Sequence, residues 1–220
     1  MRYIIMCGGE YKKWETPRHL VKINGEVLVN RTIRLLQEAG VSDIVISVSN
    51  EEQYKQLRRA VGDSIAILTK HDNDYTAYDY DKCDGYWCDA FIRQVFPVCY
   101  IFGDVVFSKD AINTIVNTIT DDIEFFASAP PFDNRFSKDS AEPFAFKVVD
   151  TRHFLNAVDT TKYLYYNGVF KRHPIAWELW QVIKRTPLNI IDYTNYTVIN
   201  DYTCDIDNPE DVKKFEGAEL

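Results

Sequence analysis

No apolar run in these 220 residues approaches the ~20 consecutive positions that a membrane-spanning helix needs. The N-terminus shows no basic segment leading into an apolar one of secretory length, so a cytoplasmic location is expected. Basic charge is in deficit: 25 Lys and Arg face 33 Asp and Glu, a formal net of −8. A nucleic-acid polymer wants a basic surface, so it is disfavoured as a partner. A single nucleotide is not, because a few local cations can hold one triphosphate. Internal repeats and low-complexity stretches are lacking. The five cysteines are odd in number and scattered. Cys83 and Cys88, with His71 upstream, do not reproduce a familiar zinc spacing, and reduced, buried thiols are expected instead. Two nucleotide-binding patterns are missing as well: G-x-G-x-x-G, and the P-loop with its G-K-S or G-K-T.

What is present suits one α/β domain over 1–220. Hydrophobic residues make up 46% of the chain, enough for a sizeable core. Strand and helix patterns alternate. "RYIIM", "DIVISVS", "AILT", "VCYIF", "IEFFASA", "PFAFKVV" and "YTVIN" read as strands. "VNRTIRLLQEAG", "EEQYKQLRRAVG" and "SKDAINTIVNTI" read as helices, the last capped by Ser108. Further helices are expected near Tyr86–Arg93, Thr151–Val158 and Pro174–Lys184, and at "NPEDVKKFE". The polar, tyrosine-rich run from His71 to Gly85 reads as a long loop. Alternation of this kind predicts a three-layer α/β/α sandwich with a mostly parallel sheet. Ligands then belong at the carboxyl ends of the strands.

Two strand ends stand out for that reason. The first is Cys7-Gly8-Gly9-Glu10, followed by Lys12, Lys13 and Arg18. Paired glycines let backbone approach a ligand, and the cations can neutralise phosphate. An ordinary tight turn with solvated lysines is the structural alternative. The second is Gly103-Asp104, where a carboxylate at the end of a buried strand could meet a metal ion. An aspartate in a plain turn is the alternative there. Near the C-terminus, "CDIDNPEDV" carries helix-start chemistry in Asn208, Pro209, Glu210 and Asp211. That leaves Asp205 and Asp207, alternating about Ile206, without a structural task.

The longer pattern runs Gly8-Gly9, cations, Pro17-Arg18-His19-Leu20, Asn24-Gly25-Glu26-Val27-Leu28, then Arg31-Thr32-Ile33 opening a helix. It resembles the nucleotidyltransferases that make nucleotide-sugars and related activated phosphates, whose signature is G-G-x-G-x-R, P-K-x-L, G-x-P-L and a helix near R-T-I. Glu10 stands near a position where that family favours glycine. Lys12 or Lys13 stands in for its loop arginine, and Arg18 for its P-K lysine. An arginine keeps the charge but changes a point cation into a planar fork. The resemblance implies a nucleotide-diphospho-sugar transferase-like fold, with Cys7, Gly8, Gly9, Glu10 and Gly103 around the nucleotide. It implies catalytic phosphate contacts from Arg18, Lys12 and Lys13, and Mg²⁺ held by Asp104 with Asp205 or Asp207.

On the acceptor side, the resemblance points to a glutamate meeting sugar hydroxyls in the region of Glu142. Lys147, Arg172, His173, Trp177 and Glu178 are further candidates. His173 also fits a helix start, and Trp177 also fits the core. The expected reaction is Mg²⁺-dependent transfer of a nucleotidyl group from an NTP to a sugar phosphate or similar phosphorylated small molecule, with release of pyrophosphate. No membrane partner is expected, and homo-oligomerisation is left open. Two rivals remain. One is a glycosyltransferase of similar fold, which usually shows D-x-D where this chain has Gly103-Asp104-Val105-Val106. The other is a non-catalytic nucleotide-binding module, suggested by the altered loop.

Overall fold

The computed structural model describes residues 1–8, 14, 16–69, 90–129, 136, 140–170, 172–191 and 193–220. Gly9, Glu10, Lys12 and Lys13, the tyrosine-rich stretch and the Cys83–Cys88 pair lie outside these.

Strand β1 (Arg2–Met6) leads to a hairpin of β2 (Lys22–Ile23) and β3 (Glu26–Val27). Its two-residue turn is Asn24-Gly25, with φ of 48° and 87°. Asn-Gly suits such a turn because both residues tolerate the left-handed region. Helix α1 (Leu28–Glu38), β4 (Ile44–Val48), α2 (Glu51–Val61) and β5 (Ala66–Thr69) follow. The Asn50 side chain caps α2 by accepting from the Gln53 N–H at 2.9 Å. Next come β6 (Val98–Phe102), β7 (Val105–Val106), α3 (Lys109–Asn117), β8 (Ile123–Ala127) and β9 (Pro143–Val148). The expected Ser108 cap is present, its Oγ accepting from the Ala111 N–H at 2.8 Å. Helix α4 (Thr151–Tyr166), α5 (Ala176–Lys184), β10 (Thr197–Val198), β11 (Cys204–Asp205) and the short α6 (Pro209–Val212) complete the order. Residues 91–93 are not helical, unlike the expected Tyr86–Arg93 helix, and α4 runs eight residues beyond the expected Val158.

Seven strands form one sheet in the order β10-β8-β9-β6-β1-β4-β5. All neighbours pair parallel except β9, which is antiparallel to both β6 and β8. The sheet is buried on both faces, which is why β1, β4 and β6 read as continuous apolar runs. Register defines the layers. Tyr100, Phe146 and Phe125 lie side by side on β6, β9 and β8. They meet Phe154 of α4 and Trp177 and Trp180 of α5. Side chains alternate along a strand, so Lys147 turns to the other face. There it reaches the end of α3. Helices therefore cover both faces, as the alternation predicted.

A second, smaller core lies beyond the carboxyl ends of the strands. Ile23, Leu28, Val106, Cys204, Ile206 and Phe215 are all almost fully buried there. It seats the β2–β3 hairpin against an antiparallel ribbon in which Asp205 of β11 opposes Val105 of β7. Asn24 Nδ2 donates to the Ala218 carbonyl at 2.8 Å and ties the hairpin turn to the C-terminal segment.

Candidate active site

The ribbon decides which residues meet. It brings a segment near residue 206 beside the end of β6, a hundred positions earlier. The Ile206 N–H donates to the Asp104 carbonyl at 2.9 Å, extending the β7–β11 pairing. Asp205 and Asp207 thus flank the residue bonded to Asp104. The two differ in exposure: Asp205 is 8% exposed, whereas the Asp207 side chain is 53% exposed.

Arg18 ties the three loops together. Its Nη2 lies 3.1 Å from Asp104 Oδ2 and its Nη1 lies 3.0 Å from Asp207 Oδ1. Nη1 also donates to the Ile206 carbonyl at 3.3 Å. The planar fork thus gives one terminal nitrogen to each carboxylate. Trp14 adds a contact to the same segment, its Nε1 donating to the Asp207 carbonyl at 3.2 Å. The pairs are half-screened, with Arg18 and Asp104 side chains 20% and 29% exposed, so their attraction exceeds that of a fully solvated pair.

Close packing at the strand ends fixes the floor. The Gly103 N–H donates to the Met6 carbonyl at 3.0 Å. A Cβ on Gly103 would lie 2.5 Å from that same oxygen and 2.7 Å from Cys7 Sγ. Gly103 is required by this approach of β6 to β1. A Cβ on Gly8 would meet Ser49 Oγ at 2.4 Å. The Cys7 N–H is engaged with the Ser47 carbonyl at 2.8 Å. Cys7 and Gly103 were expected to line the nucleotide; their N–H groups belong to the sheet, and what they supply is a flat, tight floor. Burial, and secondarily the nearby Asp104 charge, pushes the Cys7 thiol well above its usual range, so it stays protonated and takes no part as a nucleophile. Burial and then the Arg18 charge depress His19 from 6.5 to about 3, which leaves it neutral at physiological pH and no phosphate-binding cation.

The remaining acidic segment starts α6 as expected, with Asn208 at the N-cap, Pro209 at the first helical position and Asp211 in the first turn. Asp211 Oδ2 accepts from the N–H groups of Asp207 and Asn208, at 3.1 and 2.9 Å. That carboxylate holds the backbone of the Asp207 turn in place.

The acceptor candidates divide. Glu142 sits just before β9, at the same sheet edge as Asp104, because β9 runs antiparallel and its Ala145 pairs with Ile101. Its Oε1 accepts from Ser140 Oγ at 3.0 Å. Lys147 lies at the far end of the same strand, in register with Cys99. Residues 100–102 of β6, about 10 Å, and the turn at Gly103 lie between that level and Asp104. Its Nζ donates to the carbonyls of Ile115, Val116 and Thr118 at 3.1, 2.8 and 2.6 Å. These include carbonyls that the end of α3 leaves without helical partners. Lys147 is therefore a helix-end cap, not an acceptor ligand.

Trp177 is also corrected. It is 2% exposed, donates from Nε1 to the Ala141 carbonyl at 3.1 Å, and packs edge-on against Phe125, Tyr193 and Tyr196. Glu178 is buried and serves the start of α5: its Oε2 accepts from the Ile175 N–H at 3.0 Å, and its Oε1 from Arg172 Nε at 3.0 Å. His173 Nε2 lies 3.0 Å from the Tyr165 hydroxyl. Arg172 keeps a side chain 54% exposed. The Trp177–Ala141 bond holds the start of α5 beside Glu142. Glu142 is half-buried and Arg172 exposed, while Trp177 and Glu178 are buried in the packing and capping of α5.

Sequence reasoning missed two partners of the site. Arg31, almost fully buried, donates from Nη2 to the Phe107 carbonyl and lies 3.2 Å from the Tyr202 hydroxyl, pinning α1 to the segments that carry β7 and β11. The ribbon itself was invisible, since neither two-residue strand has a pattern of its own.

Residues 3–77 match the family model of the MobA-like NTP transferase domain. No curated protein matches the chain by sequence. Among solved structures, the chain is similar to the inositol-1-phosphate CTP transferase from T. maritima, at 15% identity and a TM-score of 0.51, covering 100% of this chain and 97% of that one. It is similar to a Bacillus anthracis protein assigned as a glucose-1-phosphate thymidylyltransferase, at 13% identity and a TM-score of 0.55, over 97% and 93% of the two chains. A Mycobacterium tuberculosis H37Rv protein gives 12% identity and a TM-score of 0.58, over 99% and 97%. The match of residues 3–77 is to the N-terminal third of the chain, and the solved structures share its fold.

Proposed function

We propose that the protein transfers a nucleotidyl group from an NTP to a sugar phosphate or a similar phosphorylated small molecule, in a Mg²⁺-dependent reaction. The observation that carries this reading is the meeting of Asp104, Asp205 and Asp207 beside the glycine floor of β1 and β6. Carboxylates are the hard oxygen donors that Mg²⁺ prefers. Among the described residues no three such ligands cluster tightly enough to cage an ion alone. An ion here would need the substrate's own phosphates as further ligands. Asp104 would hold it together with Asp205 or Asp207. When bound, the ion would spread the triphosphate charge and stabilise the departing pyrophosphate.

The chain's own residues do the rest. Gly8 and Gly103 allow the close packing of the strand ends beside which the triphosphate would lie. Arg18 is within reach of both the carboxylates and that space, and with Lys12 and Lys13 it would neutralise the β- and γ-phosphates. Glu142 would accept hydrogen bonds from the acceptor's hydroxyls, and Arg172 would bind its phosphate. An oxygen of the acceptor phosphate then forms a bond to the α-phosphorus while the α–β bridging P–O bond breaks, and pyrophosphate leaves with that electron pair. The attacking oxygen is already anionic, so no general base is required. The protein contributes alignment and charge.

The test is pyrophosphate release from each of the four NTPs with a panel of sugar 1-phosphates, with Mg²⁺ and with EDTA. Release that needs an NTP, a phosphorylated acceptor and Mg²⁺ together is the expected result. A glycosyltransferase would instead consume a nucleotide-sugar, and a binding module would give thermal stabilisation by NTP without any product.

A further inference from the structure

Resting on the nucleotidyltransferase reading, one feature of Arg18 goes further. In the structure this arginine does not point into open solvent toward a future phosphate. Its guanidinium lies between two of the three carboxylates, 3.1 Å from Asp104 and 3.0 Å from Asp207, and a third contact at 3.3 Å fastens it to the Ile206 carbonyl. A cation already fills the position where carboxylates and metal would meet.

We propose that Arg18 is an internal counter-ion that keeps the carboxylates closed to divalent cations until a nucleotide arrives. Three arguments carry this. The first is charge: the guanidinium offsets one of the two negative charges of Asp104 and Asp207, so a free divalent ion meets a weaker net attraction and must displace two charge-assisted bonds. Mg²⁺ also gives up its water reluctantly. The second is reach. Arg18 lies in a single 3-10 turn, Arg18–Leu20, after Pro17, and its side chain is the flexible part of the contact. Rotation about its own torsions can carry the fork from carboxylate to phosphate without moving the sheet. The third is exchange. A triphosphate offers Arg18 anionic oxygens in the same fork geometry, so the bonds lost to Asp104 and Asp207 are replaced. The carboxylates are then released to accept an ion just when phosphates are present to share it. Nucleotide and cation binding are therefore positively coupled through Arg18, and the coupling is reciprocal. A lysine at this position would span one carboxylate rather than two and would close the site less fully.

Mn²⁺, followed by its electron paramagnetic resonance signal, is the probe. Affinity is measured for the wild type, Arg18→Gln, Arg18→Lys and the double variant Arg18→Gln/Asp104→Asn, each without nucleotide and with a saturating non-hydrolysable NTP analogue. Without nucleotide, Arg18→Gln should bind Mn²⁺ about tenfold or more tightly than the wild type, Arg18→Lys should fall between, and the double variant should lose the gain. In the wild type the analogue should tighten Mn²⁺ binding by a larger factor than it does in Arg18→Gln. Equal Mn²⁺ affinity of wild type and Arg18→Gln without nucleotide would overturn the counter-ion role while leaving the nucleotidyltransferase reading in place. Absence of Mn²⁺ binding by any variant, even with the analogue, would overturn both. Arg18→Lys keeps the charge, so it supplies the comparison should Arg18→Gln fold poorly.

Discussion

A charged side chain on an apolar strand is the residue most easily misread. Lys147 on "PFAFKVV" suggested a ligand, yet its ammonium is folded onto three carbonyls at the end of α3. The signal was available: a lone lysine between apolar neighbours on a central strand must find acceptors inside the protein. Its position on the face opposite Phe146 could be read from the alternation, but not which helix lay there. Replacing it tests the assignment. Lys147→Met keeps the apolar stem and leaves the carbonyls without a donor, so it should lower unfolding free energy by about 2–3 kcal/mol, read from urea denaturation, with acceptor KM unchanged in the proposed assay. An acceptor role would show the reverse, with KM raised and stability retained. Trp177 and Glu178 belong to the same class of error, since helix α5 uses both for its own packing and capping.

At the scale of elements, long patterns were legible and short pairings were not. The runs that became β1, β4, β6 and β9 could be read because burial on both faces makes them continuously apolar, α2 from a helical pattern closed by Gly62, and α3 from its Ser108 cap. Strands β7 and β11 have two residues each, and they are strands only because they pair with each other across about a hundred positions. Asp104 and the Asp205–Asp207 pair could therefore each be suspected separately, while their meeting could not be derived. The same holds for Arg18, whose cationic role was anticipated but whose two carboxylate partners were not. Asp211 carries this arrangement, because its carboxylate holds the N–H groups of Asp207 and Asn208. Asp211→Ala should cost about 1 kcal/mol, as the loss of a helix cap does. It should also loosen the Asp207 turn, so activity should fall by more than the change in stability explains. Unchanged turnover in a folded Asp211→Ala protein would show that the turn geometry is immaterial to the site.

The molecule as a whole gathers its candidate site residues at the carboxyl ends of the central strands of a seven-stranded sheet, with the minor core beneath the ribbon joining the hairpin to the C-terminal segment. His19, in the Arg18–Leu20 turn before the hairpin, is 1% exposed. Because its folded value is depressed from 6.5 to about 3, the unfolded chain binds a proton below about pH 6.5 and the folded protein does not. Stability on this account is complete above that pH and is lost as the pH falls toward 3. Between pH 7 and pH 5.5, above the usual carboxylate range, the loss should be about 1 kcal/mol. Chemical denaturation at the two pH values should show it, and His19→Leu should flatten the difference. A wild-type protein equally stable at both would mean that His19 is protonated in the folded state.

The central claim is that Asp104, brought beside Asp205 and Asp207 at the end of β6, holds the metal for nucleotidyl transfer. It is tested most directly by Mg²⁺-dependent pyrophosphate release from wild type and Asp104→Asn, using the NTP and acceptor that give the highest wild-type rate. The substitution removes a negative charge from a side chain at the cleft edge and keeps its shape, so the fold should survive, as judged by circular dichroism. The account predicts a loss of turnover of about a hundredfold or more, of the size seen when a group that stabilises transition-state charge is removed. Near-normal release by a folded Asp104→Asn protein at limiting Mg²⁺ would contradict it.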